Sequence, residues 1–197
     1  MSDKEKYTFE AIFSRRSIRS FIEDKPVEKW KIIKLLEAAM AAPSAGNTQP
    51  WEFIVVSEKE SVNKLRETTG INAPMAIITC ANTAALQWKN DDWKIDCSAA
   101  VENMLIAAAT MGLGSLWVGY CDILRDTFEI PDNIHILNIT FFGYTDKAPE
   151  IGTRYAEDAV FWEKYDPNRI RPEKKKVEYG PIKLNDLSVN PPAPWED

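Results

Sequence analysis

The longest helical pattern in the sequence covers residues 96–111 and constrains the fold more than any other segment. Its apolar and small side chains recur at spacings of three and four, which is typical of a helix with one broad buried face. Small side chains permit close helix–helix approach, so we expect this helix either at the centre of the core or in a subunit interface. A Gly-Leu-Gly-Ser sequence at 112–115 predicts its end. The predicted face consists of Ala99, Ala100, Asn103, Met104, Ala107, Ala108 and Met111.

The remaining chain alternates between helical and strand-like patterns. Apolar runs predict two well-buried strands at 75–80 and 134–144, and two shorter strands at 53–56 and 116–120. Helices are predicted at 7–14, 26–43, 58–68, 122–128 and 157–165, with 81–94 a loop or short helix. In the second helix, Ile32, Ile33, Leu35, Leu36, Ala39 and Met40 should face the core.

Composition indicates an ordinary globular chain. At 197 residues, one domain is the default expectation. A net charge of −6 argues against nucleic acid or an anionic membrane as a partner. Three widely spaced cysteines suit reduced thiols in a cytoplasm, and Cys80 is expected in the core. The single histidine, His135, has no ligand-spaced neighbours, which argues against a metal site or a histidine triad; demanding chemistry would therefore belong to a bound cofactor.

Three arginines and a serine stand within five residues, directly after the first predicted helix. Arg15, Arg16 and Arg19 carry planar guanidinium groups, and Ser17 adds a hydroxyl. This combination matches the oxygens of a phosphate monoester. The alternative is a solvated basic surface. In an acidic chain, the cluster indicates a local anion site.

A polar loop at residues 42–51 lies between the second predicted helix and the strand at 53–56. Its sequence, Ala-Pro-Ser-Ala-Gly-Asn-Thr-Gln-Pro-Trp, contains two prolines and a glycine that forbid regular structure. A loop of short hydrogen-bonding side chains held by a buried helix and strand is suited to a polar ligand. The alternative is a simple connector that needs turn residues.

Residues 166–197 differ in composition from the rest of the chain. Six prolines and a Lys-Lys-Lys run interrupt any regular pattern, so this segment is not an independent domain. It is either disordered or an extended arm on a neighbouring subunit, and its scattered apolar residues favour the arm. We therefore divide the chain into a domain at 1–165 and a C-terminal extension at 166–197.

Four segments together resemble the nitroreductase family of FMN-dependent oxidoreductases. They are Arg-Arg-Ser-Ile-Arg-Ser-Phe at 15–21, the loop at 42–51, the helix with its Gly-Leu-Gly at 96–114, and Phe-Gly-Tyr at 142–144. In order and spacing they cover roughly residues 7–165. The resemblance implies an α+β fold with a mixed, mainly antiparallel central sheet flanked by helices. It also implies an intertwined homodimer with two FMN sites at the subunit interface, and makes 1–165 the FMN-binding domain.

The resemblance also assigns roles to individual residues. It places Arg15, Arg16, Ser17 and Arg19 on the FMN phosphate and ribityl chain. Pro43, Ser44, Asn47 and Gln49 would come from the opposite subunit and border the isoalloxazine ring. The backbone of Val118 and Gly119 would face the flavin, with an N–H directed at its N5. Arg154 matches a late basic phosphate contact, although Ile151, Gly152 and Thr153 stand where many relatives carry a second basic residue.

The implied activity is hydride transfer from NAD(P)H to FMN, followed by ping-pong reduction of an electron-poor small molecule such as a nitroaromatic or quinone. The flavin N5 would carry the hydride, so no side chain need be catalytic. Trp88 and Trp93 could cap the flavin or pack ordinarily. Alternatives are reductive dehalogenation or enoate reduction on the same fold, and a non-catalytic flavin-binding or cofactor-handling protein. Neither the physiological acceptor nor the choice between NADH and NADPH follows from the sequence.

Overall fold

The computed structural model of the protein describes residues 3–86, 91–119, 123–147 and 157–169. Arg154, Trp88 and the extension beyond residue 169 lie outside these ranges, so the predictions made for them remain predictions. Five α-helices are described: α1 (Asp3–Ser14), α2 (Lys29–Met40), α3 (Lys59–Thr69), α4 (Asp92–Thr110) and α5 (Ile123–Thr127). Four strands are described: β1 (Trp51–Val56), β2 (Met75–Asn82), β3 (Gly114–Val118) and β4 (Ile134–Gly143).

The four strands form one sheet in the order β1-β2-β4-β3, and every strand pair is antiparallel. One parallel bridge, between Ser17 and Ser115, lies beside β3. Both central strands were predicted from their apolar runs, and β2 is buried almost throughout. The strands β1 and β3 therefore form opposite edges of the described sheet. The predicted α+β class with a mainly antiparallel sheet is confirmed.

Helices pack on both faces of the sheet and create two apolar clusters. One cluster joins α2 and α4 to side chains such as Met75, Ile77 and Phe142. The other joins α3 and α5 to Ile78, Ile139 and other residues of the opposite face. Successive residues of β2 thus alternate between two cores, which explains why an uninterrupted apolar run forms this strand. Cys80 and Cys97 are buried free thiols, and burial raises their pKa values to about 11 and about 12.

The helix predicted at 96–111 is α4, and it lies at the centre of the fold, against α1, α2 and all four strands. Its start differs from the prediction because the helix begins at Asp92, four residues earlier. Residues 81–94, predicted as a loop or short helix, contribute the end of β2, a 3₁₀ turn at Thr83–Ala85 and the first turn of α4. The predicted face is only partly correct, because Ala99, Asn103, Ala107 and Met111 are half-buried. The residues buried most deeply include Cys97, Ala100, Val101, Met104, Leu105 and Ala108.

Two predictions about helices are wrong. In α2 the buried line consists of Lys31, Leu35 and Ala39, while Ile33 and Met40 are exposed. The predicted helix at 157–165 is a single 3₁₀ turn, Glu157–Ala159. The side chain of Arg169 donates to the backbone carbonyls of Glu157 and Val160, which are therefore occupied by a side chain instead of a following helical turn.

Helix α1 presents an apolar patch to solvent. Its side chains are Tyr7, Phe9, Ile12 and Phe13, which are 67%, 46%, 41% and 52% exposed, and the rings of Phe9 and Phe13 stack. Trp30, Ile33 and Met40 of α2 are also exposed. Among the described residues, no helix is long and apolar enough to cross a membrane. Contiguous exposed apolar side chains of this kind indicate an interaction surface.

Candidate anion cleft and ligand loop

The arginine segment lies along the outer edge of β3. The backbone N–H of Ile18 donates to the carbonyl of Ser115 at 2.8 Å, and Ser17 pairs with Ser115 in the parallel direction. The Ile18 side chain is buried against Gly114, where an added Cβ would lie only 2.9 Å from it. Gly114 therefore permits the close approach that attaches residues 15–19 to the sheet.

Arg15 and Arg16 line an open cleft of about 250 Å³. Its other walls include residues 112–115, which form the turn after α4 and the start of β3, and Thr145 and Lys147 after β4. The Thr145 hydroxyl accepts a hydrogen bond from the backbone N–H of Lys147 at 3.1 Å, which turns this segment. Three cationic side chains thus line one cleft, a charge arrangement suited to a phosphate group.

Arg15 is oriented by α4. Its Nε atom lies 3.3 Å from Oε1 of Glu102, and both side chains remain partly exposed. Arg16 makes no ion pair within the part of the chain that the structure describes, and its side chain is half-buried. Ser17 and Arg19, the other predicted anion ligands, are exposed on the same segment. Ile18, between them, anchors the segment in the core.

A buried lysine, Lys31, holds together the two segments that form the far walls of the cleft. The Nζ atom of Lys31 donates to the carbonyl of Met111 at 3.1 Å and to the Tyr144 hydroxyl at 2.6 Å. Met111 and Tyr144 directly precede the two cleft segments at Gly112 and Thr145. Tyr144 in turn donates to the carboxylate of Glu28, and this hydrogen bond is the main cause of a lowered pKa of that carboxyl. The positive charge also complements the C-terminal end of the α4 dipole.

Replacing this lysine should destabilise the fold. We expect Lys31→Met to lower the free energy of unfolding by about 1–3 kcal/mol, because two partly buried acceptors lose their donor. Lys34→Met on the same helix is the matched control, since it removes only an exposed ion pair with Glu37 and should cost less than about 0.5 kcal/mol. Urea unfolding followed by circular dichroism measures both. Equal losses in the two variants would contradict a supporting role for Lys31.

The other end of β3 carries Val118 and Gly119. Val118 is half-buried and Gly119 is exposed, and a Cβ added at Gly119 would meet no atom within 4 Å. From Ser115 to Gly119 the strand spans roughly 13 Å. The anion cleft and this exposed backbone are therefore separated along a single sheet edge, which suits an elongated ligand with a charged group at one end.

The predicted ligand loop has an unusual backbone conformation. Gly46, Asn47 and Gln49 have φ values of 58°, 57° and 47°, in the left-handed region. Outside glycine and asparagine this region is sparsely populated, and such backbone often occurs at functional sites. The side chains of Pro43, Asn47 and Gln49 are exposed, while Ser44 is half-buried and accepts a hydrogen bond from the Gln49 N–H at 3.0 Å. The loop thus presents polar groups outward.

Within one chain, the loop and the arginine segment lie far apart. The loop leads into β1, whereas the arginine segment extends β3 at the opposite edge. Three strand spacings of about 4.8 Å separate these edges, roughly 14 Å. The structure therefore brings Arg15, Arg16 and the start of β3 together, but does not bring Pro43, Ser44, Asn47 or Gln49 to them.

Trp93 has a packing role within the chain. It is 8% exposed and its ring stacks on His135, with centroids 5.0 Å apart. Of the two interpretations of this tryptophan, the described chain supports ordinary packing. Lys147 and Glu102 were missed by the sequence interpretation because each lies far along the chain from the arginines, and Lys31 was missed because a buried lysine carries no apolar signal. Of these three residues, only Lys147 had a sequence feature that could have indicated it, namely a basic side chain three residues after the Phe-Gly-Tyr motif at 142–144.

Comparisons with known proteins agree with these motifs. The model of the nitroreductase family matches residues 12–92 and 71–144. The chain belongs to the nitroreductase family. It is 38% identical over 174 residues to a protein of Archaeoglobus fulgidus named "Putative NADH dehydrogenase/NAD(P)H nitroreductase", covering 83% of this chain and 95% of that one. The predicted family is thereby confirmed.

Two further relatives extend the comparison. The chain is 30% identical over 176 residues to an FMN reductase (NAD(P)H) of Bacillus subtilis, covering 76% of this chain and 70% of the relative. It also resembles the solved structure of an FMN-dependent nitroreductase from Clostridium difficile R20291, with a TM-score of 0.70 and 30% identity. That comparison covers 80% of this chain and 99% of the other. Nitroreductase relatives thus match it in both sequence and fold.

Proposed function

We propose that this protein is an FMN-dependent oxidoreductase that takes hydride from NAD(P)H and reduces an electron-poor acceptor, such as a nitroaromatic or quinone, by a ping-pong mechanism. The observation that carries the proposal is the cationic cleft formed by Arg15, Arg16 and Lys147 at one end of β3, with exposed backbone at the other end. The names of the relatives, which include an FMN reductase and an FMN-dependent nitroreductase, support the same cofactor.

The residues of this edge fit the two ends of FMN. Arg15 and Arg16 would hold the phosphate, because two guanidinium groups and a lysine offset its two negative charges. Ser17 and Arg19 follow along β3 and would reach the phosphate or the ribityl chain. Arg154, outside the described residues, is proposed as a further phosphate ligand.

The ring would lie against the backbone of Val118 and Gly119. Bound FMN supplies the hydride chemistry at its N5, so this chain has to provide position and electrostatics. The Gly119 N–H would donate to the ring, because no side chain stands at this position and the space beside it is open. Lateral access must remain for two successive small substrates, which agrees with the open shape of this edge.

We further propose that the site is completed in a homodimer. The loop with Pro43, Ser44, Asn47 and Gln49 lies at the opposite edge of its own sheet, so a second chain is the natural source of these groups. The exposed apolar patch on α1 ends directly before the arginine segment and offers a surface for that partner. In this arrangement the extension at 166–197 would be an arm on the neighbouring subunit. A reducing compartment such as the cytoplasm suits the free Cys80 and Cys97.

Anaerobic spectroscopy tests the activity. The protein is reconstituted with FMN, desalted, and mixed with NADH or NADPH while the oxidised flavin band is recorded. We expect the band to bleach with at least one nucleotide and to return when a nitroaromatic or quinone is added. A band that persists with both nucleotides would contradict the hydride donor and favour a cofactor-handling role. Failure to retain FMN would contradict the cofactor itself.

A further inference from the structure

One carboxylate ties the ligand loop to the central helix. The side chain of Asp96, in the second turn of α4, accepts a hydrogen bond at Oδ1 from the backbone N–H of Ala45 at 3.0 Å. Asp96 is only 5% exposed. Among the described residues, this is the one hydrogen bond that joins a side chain outside residues 42–50 to the backbone of the loop. The central helix and the loop are therefore connected at a single polar contact.

The hydrogen bonds in the middle of the loop, apart from the bond to Asp96, join loop residues to one another. The N–H groups of Asn47 and Thr48 donate to the carbonyls of Ser44 and Ala45, at 2.9 and 3.2 Å. These bonds, and the bond from the Gln49 N–H to Ser44, join loop residues to one another. They stabilise a turn with three left-handed residues. The ends of the loop are held separately, because the Asn82 N–H of β2 donates to the Pro50 carbonyl at 2.8 Å and the Ala42 N–H donates to the Ala39 carbonyl of α2 at 3.1 Å. Between these ends, the bond to Asp96 is the described hydrogen bond that joins the loop to the rest of the chain.

The second oxygen of Asp96 indicates that stability alone does not explain this residue. Oδ2 is buried and has no hydrogen-bond partner within the described chain. A buried carboxylate with one unpaired oxygen is costly, whereas an uncharged residue could fill the same space without that cost. Residues that break the ordinary rules of burial are expected mainly at functional sites. The location beside the ligand loop agrees with this expectation.

We propose that Asp96 is a positioning residue that fixes the ligand loop through Ala45, so that Ser44 and Asn47 are presented to the cofactor held by the neighbouring subunit. This inference rests on the proposed function for the identity of the ligand. Asp96 itself does not contact the reacting atoms. It acts through the hydrogen bond that its Oδ1 accepts from the Ala45 N–H.

Two substitutions and two measurements test this role. In Asp96→Ala, hydrogen exchange of the Ala45 amide in the flavin-free protein should accelerate about tenfold or more, while amides of β2 and β4 keep their protection. The same variant should bind FMN about 10–100-fold more weakly, because the hydrogen bond that orders the loop is lost. Asp96→Asn retains an acceptor oxygen and should stay within about threefold of the natural protein in both measurements.

The control is Asp91→Asn, which removes an exposed carboxylate paired with Lys94 just before the same helix and should change neither measurement. Unchanged exchange at Ala45 in Asp96→Ala would overturn the proposal. So would loss of protection throughout β2 and β4, since Asp96 would then be a general stability residue. If even the natural protein fails to bind FMN, the proposed function is wrong. Faster hydrogen exchange confined to the loop in Asp96→Ala would still support the positioning role of Asp96 in that case.

Discussion

Replacing Arg15 and Arg16 together by alanine should lower FMN affinity by about 100-fold or more, because each guanidinium group contributes charge-assisted hydrogen bonds to the phosphate. Both arginines line the same cleft at the start of β3, and Arg15 is already oriented by Glu102. Neither side chain belongs to the apolar core, so the fold should survive. Fluorescence quenching during titration of the flavin-free variant with FMN measures the loss. Riboflavin, which has no phosphate, should bind the variant and the natural protein equally.

Arg66→Ala is the matched control for this experiment. Arg66 lies on α3 and pairs with Glu23, away from the cleft, so its loss removes a surface ion pair and one positive charge. We expect no change in FMN affinity. Lys147→Ala should fall between the two, because an exposed lysine is a single point charge and not a guanidinium fork. A double variant that binds FMN as tightly as Arg66→Ala would contradict the phosphate assignment.

Placing a charge in the apolar patch of α1 should separate the subunits of the proposed homodimer and weaken flavin binding at the same time. We expect Phe13→Asp to give a monomer in size-exclusion chromatography and to lower FMN affinity by about 100-fold. Phe13 is 52% exposed and stacked on Phe9, so the substitution does not create a cavity in the core. In a dimer, the carboxylate introduced at position 13 would be buried without a partner, which is costly, whereas in the monomer it would face water.

Asn63→Asp adds the same charge to an exposed position of α3, on the opposite face of the sheet, and should leave both properties unchanged. If Phe13→Asp stays dimeric, the patch is not the dimer surface. If it becomes a monomer that keeps FMN at full affinity, the site does not need a second chain. The two measurements therefore test the surface and its consequence separately.

Hydrophobic periodicity was sufficient to predict the central elements. The strands β2 and β4 and the helix α4 follow from long apolar patterns, because the strands lie between the two apolar clusters and α4 packs into one of them. The same argument failed for α2, where Lys31 is buried and Met40 is exposed. A buried lysine carries no apolar signal, since its position depends on Met111 and Tyr144, whose contacts arise only in the folded chain.

The candidate site could be proposed from residue types in the sequence, but its three-dimensional arrangement could not. Clustered arginines indicated an anion site, and the prolines and glycine of the loop indicated irregular structure. The loop's attachment to Asp96 could not be predicted, because that residue reads as an ordinary member of a helical pattern. The separation of the loop from the arginine segment could not be predicted either, because it follows from the strand order and not from distance along the chain.

The central claim is that each FMN site combines the arginine segment of one chain with the ligand loop of the other, and mixed dimers test it most directly. One chain carries Arg15→Ala with Arg16→Ala, and the other carries Ser44→Ala with Asn47→Ala, each with a different affinity tag. Neither homodimer should retain FMN. A dimer purified through both tags contains one site built from the two unaltered halves, so we expect about one FMN per mixed dimer. A mixed dimer without flavin, beside a natural dimer that binds it, would show that both halves come from the same chain and would contradict the account.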